Sequence, residues 1–252
     1  MDNIRTVDTD VEVDNAENIQ AADVVAATGA EYKPKPVYDF FKRFFDIICS
    51  FIASIILLVP MAVISLIIIS KDGGKPFYLH KRIGKNNKPI YIWKFRSMKE
   101  GADNLEKMLT PEQLEQYKKE YKLEDDPRLI GYKKLGDGEK CFGARLRRLS
   151  IDELPQIFFN IFLYGNMSIV GPRPILQSEL EENYSPEEQK LLLSVKPGLT
   201  GYWQAYARNN VGYSNGERQK MELFYVHNRS VLLDIKIILK TVVCVIKRSG
   251  AK

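Results

Sequence analysis

From Ile47 to Ile69 the chain carries no charged residue. These 23 positions would form a helix of roughly 35 Å at about 1.5 Å per residue, against a hydrocarbon core of about 30 Å. Length alone favours a single spanning anchor. Two features favour a path that enters the bilayer and returns. Pro60 lies inside the run, where it removes a backbone hydrogen bond and clashes with the preceding turn. Both flanks are basic: Lys33, Lys35, Lys42 and Arg43 precede the run, and Lys71, Lys75, Lys81, Arg82, Lys85 and Lys88 follow it. Basic flanks stay on the cytoplasmic side, and a re-entrant helix–break–helix hairpin bent at Pro60 keeps both there.

The approach Phe40-Phe41-Lys42-Arg43-Phe44-Phe45 suits the headgroup zone, with rings toward the apolar phase and bases toward phosphate. Near the other end, Val231 to Ile246 is apolar but interrupted by Asp234, Lys236 and Lys240. It reads as an amphipathic helix lying on a membrane or packed against the body, too interrupted to span.

Charge divides the chain. Residues 1–32 hold eight acids and one base, so the formal +5 of the whole becomes +12 for the remainder. The acidic segment lacks amphipathic periodicity and reads as a disordered tail over 1–37 with no cleavable signal. A basic body suits headgroups, phosphates or nucleic acid. Cys49, Cys141 and Cys244 lie far apart without paired spacing, which argues against structural zinc or a disulfide framework.

The pattern predicts an α-rich α/β fold in three parts: the tail, a membrane-associated segment over 38–75, and a cytoplasmic domain over 76–252. Pro76 to Met98 reads as two extended segments around a turn at Gly84 to Asn87. Residues 103–122 read as an exposed helical insert opening at Thr110-Pro111-Glu112-Gln113. Ala144 to Leu163 reads as helix interrupted near Ser150 to Pro155, Ser185-Pro186 as a helix start, and Pro197 to Gly201 as a turn. There is no GxGxxG or GxxxxGK[ST] loop, which counts against Rossmann and P-loop enzymes.

The densest chemistry lies from Arg145 to Pro155, where Arg145, Arg147 and Arg148 precede the neighbouring carboxylates Asp152 and Glu153. The plain structural reading is a capping box of Ser150 with Glu153. Pro155 makes that untidy, and a helix beginning at Asp152 would place the proline in its first turn. A carboxylate there, beside cations, would stay ionised, hold Mg²⁺ or attack phosphorus. The second cluster is Gly171-Pro172-Arg173-Pro174, in which two prolines fix an arginine suited to bidentate phosphate contact.

Taken in order, the apolar segment with its proline, Lys94-Phe95-Arg96-Ser97-Met98, Arg147 to Pro155, Gly171 to Pro174 and Pro197 to Gly201 resemble the bacterial sugar transferases, the monotopic phosphoglycosyl transferases in their compact form. The resemblance covers residues 38–252. It implies a ping-pong reaction in which Asp152 attacks the β-phosphate of a UDP-sugar, UMP leaves, and polyprenyl (undecaprenyl) phosphate takes the phosphosugar. It implies Glu153 as assisting base or positioning group, Mg²⁺ bridging Asp152 and the diphosphate, and Lys94, Arg147 and Arg173 as substrate-binding cations. It implies the cytoplasmic face of a bacterial inner membrane, early in capsule, exopolysaccharide or glycan synthesis, and is compatible with a homo-oligomer. Three positions depart from the pattern: Val59 replaces a frequent serine, Asn166 a usual acid, and Ala207 a usual glycine before Arg208-Asn209.

The rival readings are a membrane-anchored scaffold that binds headgroups and a metal-dependent glycosyltransferase using Asp8-Thr9-Asp10, which has no strand before it. No nucleic-acid module is visible, so no nucleic-acid partner is expected. His80 and His227 are isolated in sequence and receive no catalytic role.

Overall fold

The computed structural model describes residues 33–120, 123, 125–134, 136, 138, 140–207 and 216–246. The acidic segment with Asp8-Thr9-Asp10, and the Arg208-Asn209 pair, lie outside these residues.

Helix α1, Pro36–Asp72, opens with proline at its first position, where a missing N–H costs nothing. It is helical throughout its 37 residues. No interruption marks Pro60, so the expected break is not present as a loss of helix. One proline removes one rung of the ladder, and the apolar residues on both sides sustain the rest.

Both arms of α1 grip the body. In the first arm, Tyr38 and Lys42 donate to Asp234 Oδ2 at 2.8 and 2.7 Å, Arg43 donates to the Ile161 carbonyl at 2.8 Å, and Asp46 accepts from Ile169 N–H at 3.0 Å. In the second arm, Ile68 is fully buried with Phe95, Ile130 and Leu146, with Met61 and Ile64 packed alongside. Asp72 pairs with Arg96 at 3.4 Å. Between the arms, Ile55, Ile56, Leu58, Val59 and Pro60 are exposed.

Strands β1 (Phe77–Ile83) and β2 (Pro89–Phe95) form the expected antiparallel hairpin around a 3₁₀ turn at Lys85–Asn87. Phe77 pairs with Phe95, Tyr78 with Lys94, His80 with Ile92 and Arg82 with Ile90. Directly opposed residues share a face, so His80, Arg82 and Lys94 point the same way. The free edge of β2 ends on a side chain. Asn160 accepts from Trp93 N–H at 2.9 Å and donates to the Tyr91 carbonyl at 2.7 Å, taking the place of a third strand. Phe159 beside it stacks on Trp93, with ring centroids 4.0 Å apart.

The charged insert forms α2 (Leu105–Met108) and α3 (Pro111–Glu120). Thr110 and Gln113 exchange backbone and side-chain hydrogen bonds at its start, as the sequence predicts. Helix α4 (Phe142–Arg148) leads through a 3₁₀ turn at Ile151–Glu153 into a π-helical segment, Ile157–Leu163, and then β3, Ser168–Val170.

Helices α5 (Gln177–Asn183) and α6 (Pro186–Leu192) follow, the second with the anticipated Ser185 cap. The turn expected over Pro197 to Gly201 is instead centred on strand β4, Gly198–Thr200, which pairs in parallel with β3. Gly171 and Gly198 make this possible, because a Cβ on either would overlap the other's backbone. Two distant motifs are thereby joined side by side.

Helices α7 (Tyr202–Tyr206), α8 (Glu217–Asn228) and α9 (Val231–Ile246) complete the body. The main core gathers Val170, Leu180, Trp203, Leu223, Val226 and Ile237. Helix α9 buries only a narrow stripe. Ile237 is enclosed, Asp234 is tied to α1, and Thr241 meets the Thr200 hydroxyl at 2.7 Å. Leu232, Leu239, Val242 and Val245 are exposed, so α9 is no ordinary core helix. Among the described residues the fold is α-rich with two small sheets.

Candidate active site

The dyad sits where the backbone changes form. After α4, Ser150 adopts a left-handed conformation (φ 53°) and its side chain makes no cap hydrogen bond. The capping-box alternative is therefore not formed. The chain turns through Ile151–Glu153, and Pro155 stands at the start of the next helical segment, where it needs no donor.

This turn places Asp152 under the hairpin, 8 % exposed. Lys94 reaches from β2 to lie 2.8 Å from Glu153 Oε1 and 3.6 Å from Asp152 Oδ2. Burial raises the Asp152 carboxyl to about 6, against the pull of Lys94 and Arg147 and with a further push from Glu153. Arg147 is exposed on the last turn of α4 and acts on Asp152 through its field.

Arg173 lines the same cleft as Lys94 and Glu153. Its N–H donates to Glu222 Oε2 at 3.1 Å, and its guanidinium lies 5.6 Å from the Trp203 ring centroid. Arg218 lies over the same ring at 4.2 Å. Burial raises fully enclosed Glu222 to about 7, opposed by Arg218 and by the Arg173 N–H.

The cleft is cationic. Lys94, Arg82 and Arg173 line it with His80, Gln156 and Gln204. Burial, then Arg82 and Lys94, lower His80 to about 4, which leaves it a neutral imidazole near pH 7. A second groove, of about 390 Å³, adjoins it. Leu149, Leu154, Ile238, Val242 and Val245 give that groove apolar walls, and Arg145 and Arg148 stand at its rim. Glu153, Leu199 and Gln204 line both spaces.

Asp152, Glu153, Lys94 and Arg173 are thus brought together, Arg147 stands just outside, and Pro60 lies apart on the exposed stretch of α1. Among the described residues no group of three or more His, Cys, Asp or Glu could hold a metal alone. Two adjacent carboxylates fit Mg²⁺ when substrate phosphates complete its shell. Asn166, at a position where the resemblance implies a usual acid, accepts from Asn160 Nδ2 at 3.1 Å and belongs to the framework under β2.

Sequence reasoning missed His80, Arg82, Gln156 and Glu222. The hairpin carried a usable signal for the first two, since its turn fixes the register that puts them on the Lys94 face. Nothing local in the sequence pairs Glu222 with Arg173, 49 residues away.

The bacterial sugar transferase model matches residues 37–248. The chain is 38% identical over 215 residues to the undecaprenyl-phosphate galactose phosphotransferase of Salmonella typhimurium, covering 84% of this chain and 42% of that one. It spans the same 42% of the UDP-galactose-lipid carrier transferase of Erwinia amylovora, again at 38% identity and 84% of this chain. It is 37% identical to the exopolysaccharide production protein ExoY of Sinorhizobium fredii, covering 86% of this chain and 90% of that one. With the dyad, the fixed arginine and the cationic cleft on one chain, this match makes the protein a member of the bacterial sugar transferase family.

Proposed function

We propose that the protein transfers a sugar 1-phosphate from a UDP-sugar to polyprenyl phosphate at the cytoplasmic face of a bacterial inner membrane. One observation carries the reading: a cationic cleft and an apolar groove meet at Glu153, beside Asp152. A nucleotide diphosphate needs the first and an isoprenoid chain needs the second. The names of the relatives, which concern undecaprenyl phosphate and galactose transfer, point the same way.

In this reading ionised Asp152 attacks the β-phosphorus of the donor. The bond to the bridging oxygen breaks, UMP leaves with the electron pair, and the sugar phosphate is held on the aspartate. An oxygen of polyprenyl phosphate then attacks the same phosphorus, the acyl-phosphate bond breaks, and Asp152 is regenerated. Lys94 offsets the charge of an anionic nucleophile meeting phosphates, and Arg173, in the same cleft, holds the diphosphate. Glu153, already bonded to Lys94, keeps that ammonium beside Asp152 and stands where the acceptor enters. Asp152, with Glu153 near, would hold Mg²⁺ together with the diphosphate, and the ion would supply charge neutralisation.

The two gripping arms of α1 bear on topology. That both arms pack on one body supports a reading in which both ends of the helix stay on the same side of the bilayer. In this reading the exposed stretch at Ile55 to Pro60 dips into the apolar phase, and the exposed side of α9 rests on the interface.

The test is UMP release from a panel of UDP-sugars with undecaprenyl phosphate and Mg²⁺, comparing wild type with Asp152→Asn. Release with one sugar, lost in the variant, supports the reading and names the donor. Silence across the panel from folded, membrane-bound protein favours the scaffold.

A further inference from the structure

Strand β3 has two faces, and they serve different spaces. Ile169 faces the apolar groove of the active site, while Ser168 and Val170 face a recess on the opposite side. That recess, of about 80 Å³, lies between β3, the first arm of α1, the hairpin turn and the segment before β4. Lys42, Arg43, Lys85, Lys196 and Arg229 line it, against two carboxylates, Asp39 and Asp46.

Both carboxylates are already engaged. Asp46 accepts from Ile169 N–H, and Asp39 lies 3.7 Å from Arg229. Lys42 is paired with Asp234. Lys85 and Lys196 have no ion-pair partner among the described residues. Lys196 is half-buried, and its ammonium is lowered by burial and then by Arg43. A second feature is independent of charge. The Ser168 hydroxyl is buried, with the residue 2 % exposed, and it has no hydrogen-bond partner among the described residues. Buried hydroxyls rarely remain so, and each unsatisfied one asks what completes it.

Excess positive charge repels a metal cation and attracts an anion with several acceptor oxygens. A space of about 80 Å³ is enough for one tetrahedral oxyanion. The arm that supplies Lys42 and Arg43 also carries the exposed rings of Phe40, Phe41, Phe44 and Phe45. Aromatic and basic side chains so interleaved lie at headgroup depth. We infer that the recess is a phosphate-binding site, separate from the catalytic cleft, that takes the headgroup phosphate of an anionic phospholipid and fixes the first arm of α1 at the membrane surface. The inference rests on the membrane placement proposed above, but not on the transfer chemistry.

The test uses the full chain and three variants: Lys85→Gln/Lys196→Gln in the recess, Ser168→Ala in the recess, and Lys107→Gln/Lys133→Gln on exposed surface elsewhere. The two lysine variants change net charge equally, so non-specific attraction to the membrane falls equally in both. Co-sedimentation is measured with phosphatidylcholine vesicles and with vesicles containing phosphatidylglycerol. Beyond that shared loss, the recess lysine variant should lose about a further tenfold of the gain due to phosphatidylglycerol, because it also removes two charged contacts to the headgroup phosphate. The surface variant should lose clearly less, and Ser168→Ala should fall between wild type and the recess lysine variant. Thermal melts in detergent with millimolar inorganic phosphate identify the source. A rise in wild type that the recess variants lack, with equal vesicle binding by both lysine variants, supports the site and assigns it to soluble phosphate. Equal behaviour of recess and surface variants in both assays overturns the inference. No sugar nucleotide is present, so that failure leaves the transferase reading standing.

Discussion

Lys94 Nζ lies 3.6 Å from Asp152 Oδ2, close enough to stabilise the carboxylate yet too far to be spent on it as a direct hydrogen bond. The shorter bond goes to Glu153, at 2.8 Å. Asp152 therefore feels a cation without surrendering its oxygens to one, as a nucleophile requires.

Asp152→Asn should abolish UMP release while raising thermal stability. Native Asp152 keeps its proton from about pH 3.8 up to about 6, where the unfolded chain has lost it. The native state binds more protons across that window, so stability falls as pH rises through it and stays lower above it. Removing the buried charge should recover on the order of 1–3 kcal/mol at pH 7. A thermal melt beside the activity assay checks both, and near-normal turnover would overturn the nucleophile assignment.

Lys94→Met should shift the acid limb of the pH–rate profile upward. In wild type, activity should fall as pH drops through about 6, because protonation removes the nucleophile. Loss of the ammonium removes the principal influence holding that value down, so the limb moves to higher pH. Expected kcat/KM at pH 7 falls about 100-fold or more, on the scale of a lost electrostatic donor. An unchanged limb would separate Lys94 from Asp152.

Arg173→Ala and Arg148→Ala should divide the two substrates. The first removes a cation from the polar cleft and should raise KM for the UDP-sugar about tenfold, with little change for the acceptor. The second removes one from the rim of the apolar groove and should do the reverse. Two-substrate kinetics read this directly, and parallel changes in both KM values would contradict separate binding spaces.

Asn160→Leu should cost about 1–3 kcal/mol in chemical denaturation, because it leaves Trp93 N–H and the Tyr91 carbonyl unpaired at a partly buried edge. Lys94 is the residue after Trp93, so turnover should fall as well. Stability within 0.5 kcal/mol of wild type, roughly the scatter of ordinary surface substitutions, would show that the edge finds another partner.

For topology, cysteines introduced at Lys35 and Lys75 should both label from the cytoplasmic side. Labelling from opposite sides would restore a spanning anchor and break the contacts of one arm with the body.

Much of this was legible in the sequence wherever the cause is local. The hairpin follows from its turn residues, the Ser185 and Thr110 caps from their partners three positions on, and the dyad segment from Pro155, which cannot sit deep in a helix. What escaped was non-local or weakly patterned. Strand β4 is three residues between a proline and a glycine, and its partner β3 lies 30 positions earlier, so it read as a turn. The π-helical segment has no distinct periodicity in seven residues, yet it aims Asn160 at the edge of β2. His80 looked isolated because only the paired register brings it to Lys94. Pro60 was read as a break because proline breaks isolated helices, whereas here the helix continues through it.

The bond between Lys42 and Asp234 joins residues 192 positions apart. At about 5–20 residues per second, a ribosome needs roughly 10–40 s to travel between them. During that interval the apolar helix has emerged but its clasp has not been made. The first arm must wait in the company of lipid or a chaperone, and α9 latches it. Truncation within α9 would therefore release the first arm of α1 as well, giving a chain that reaches the bilayer and cannot settle there.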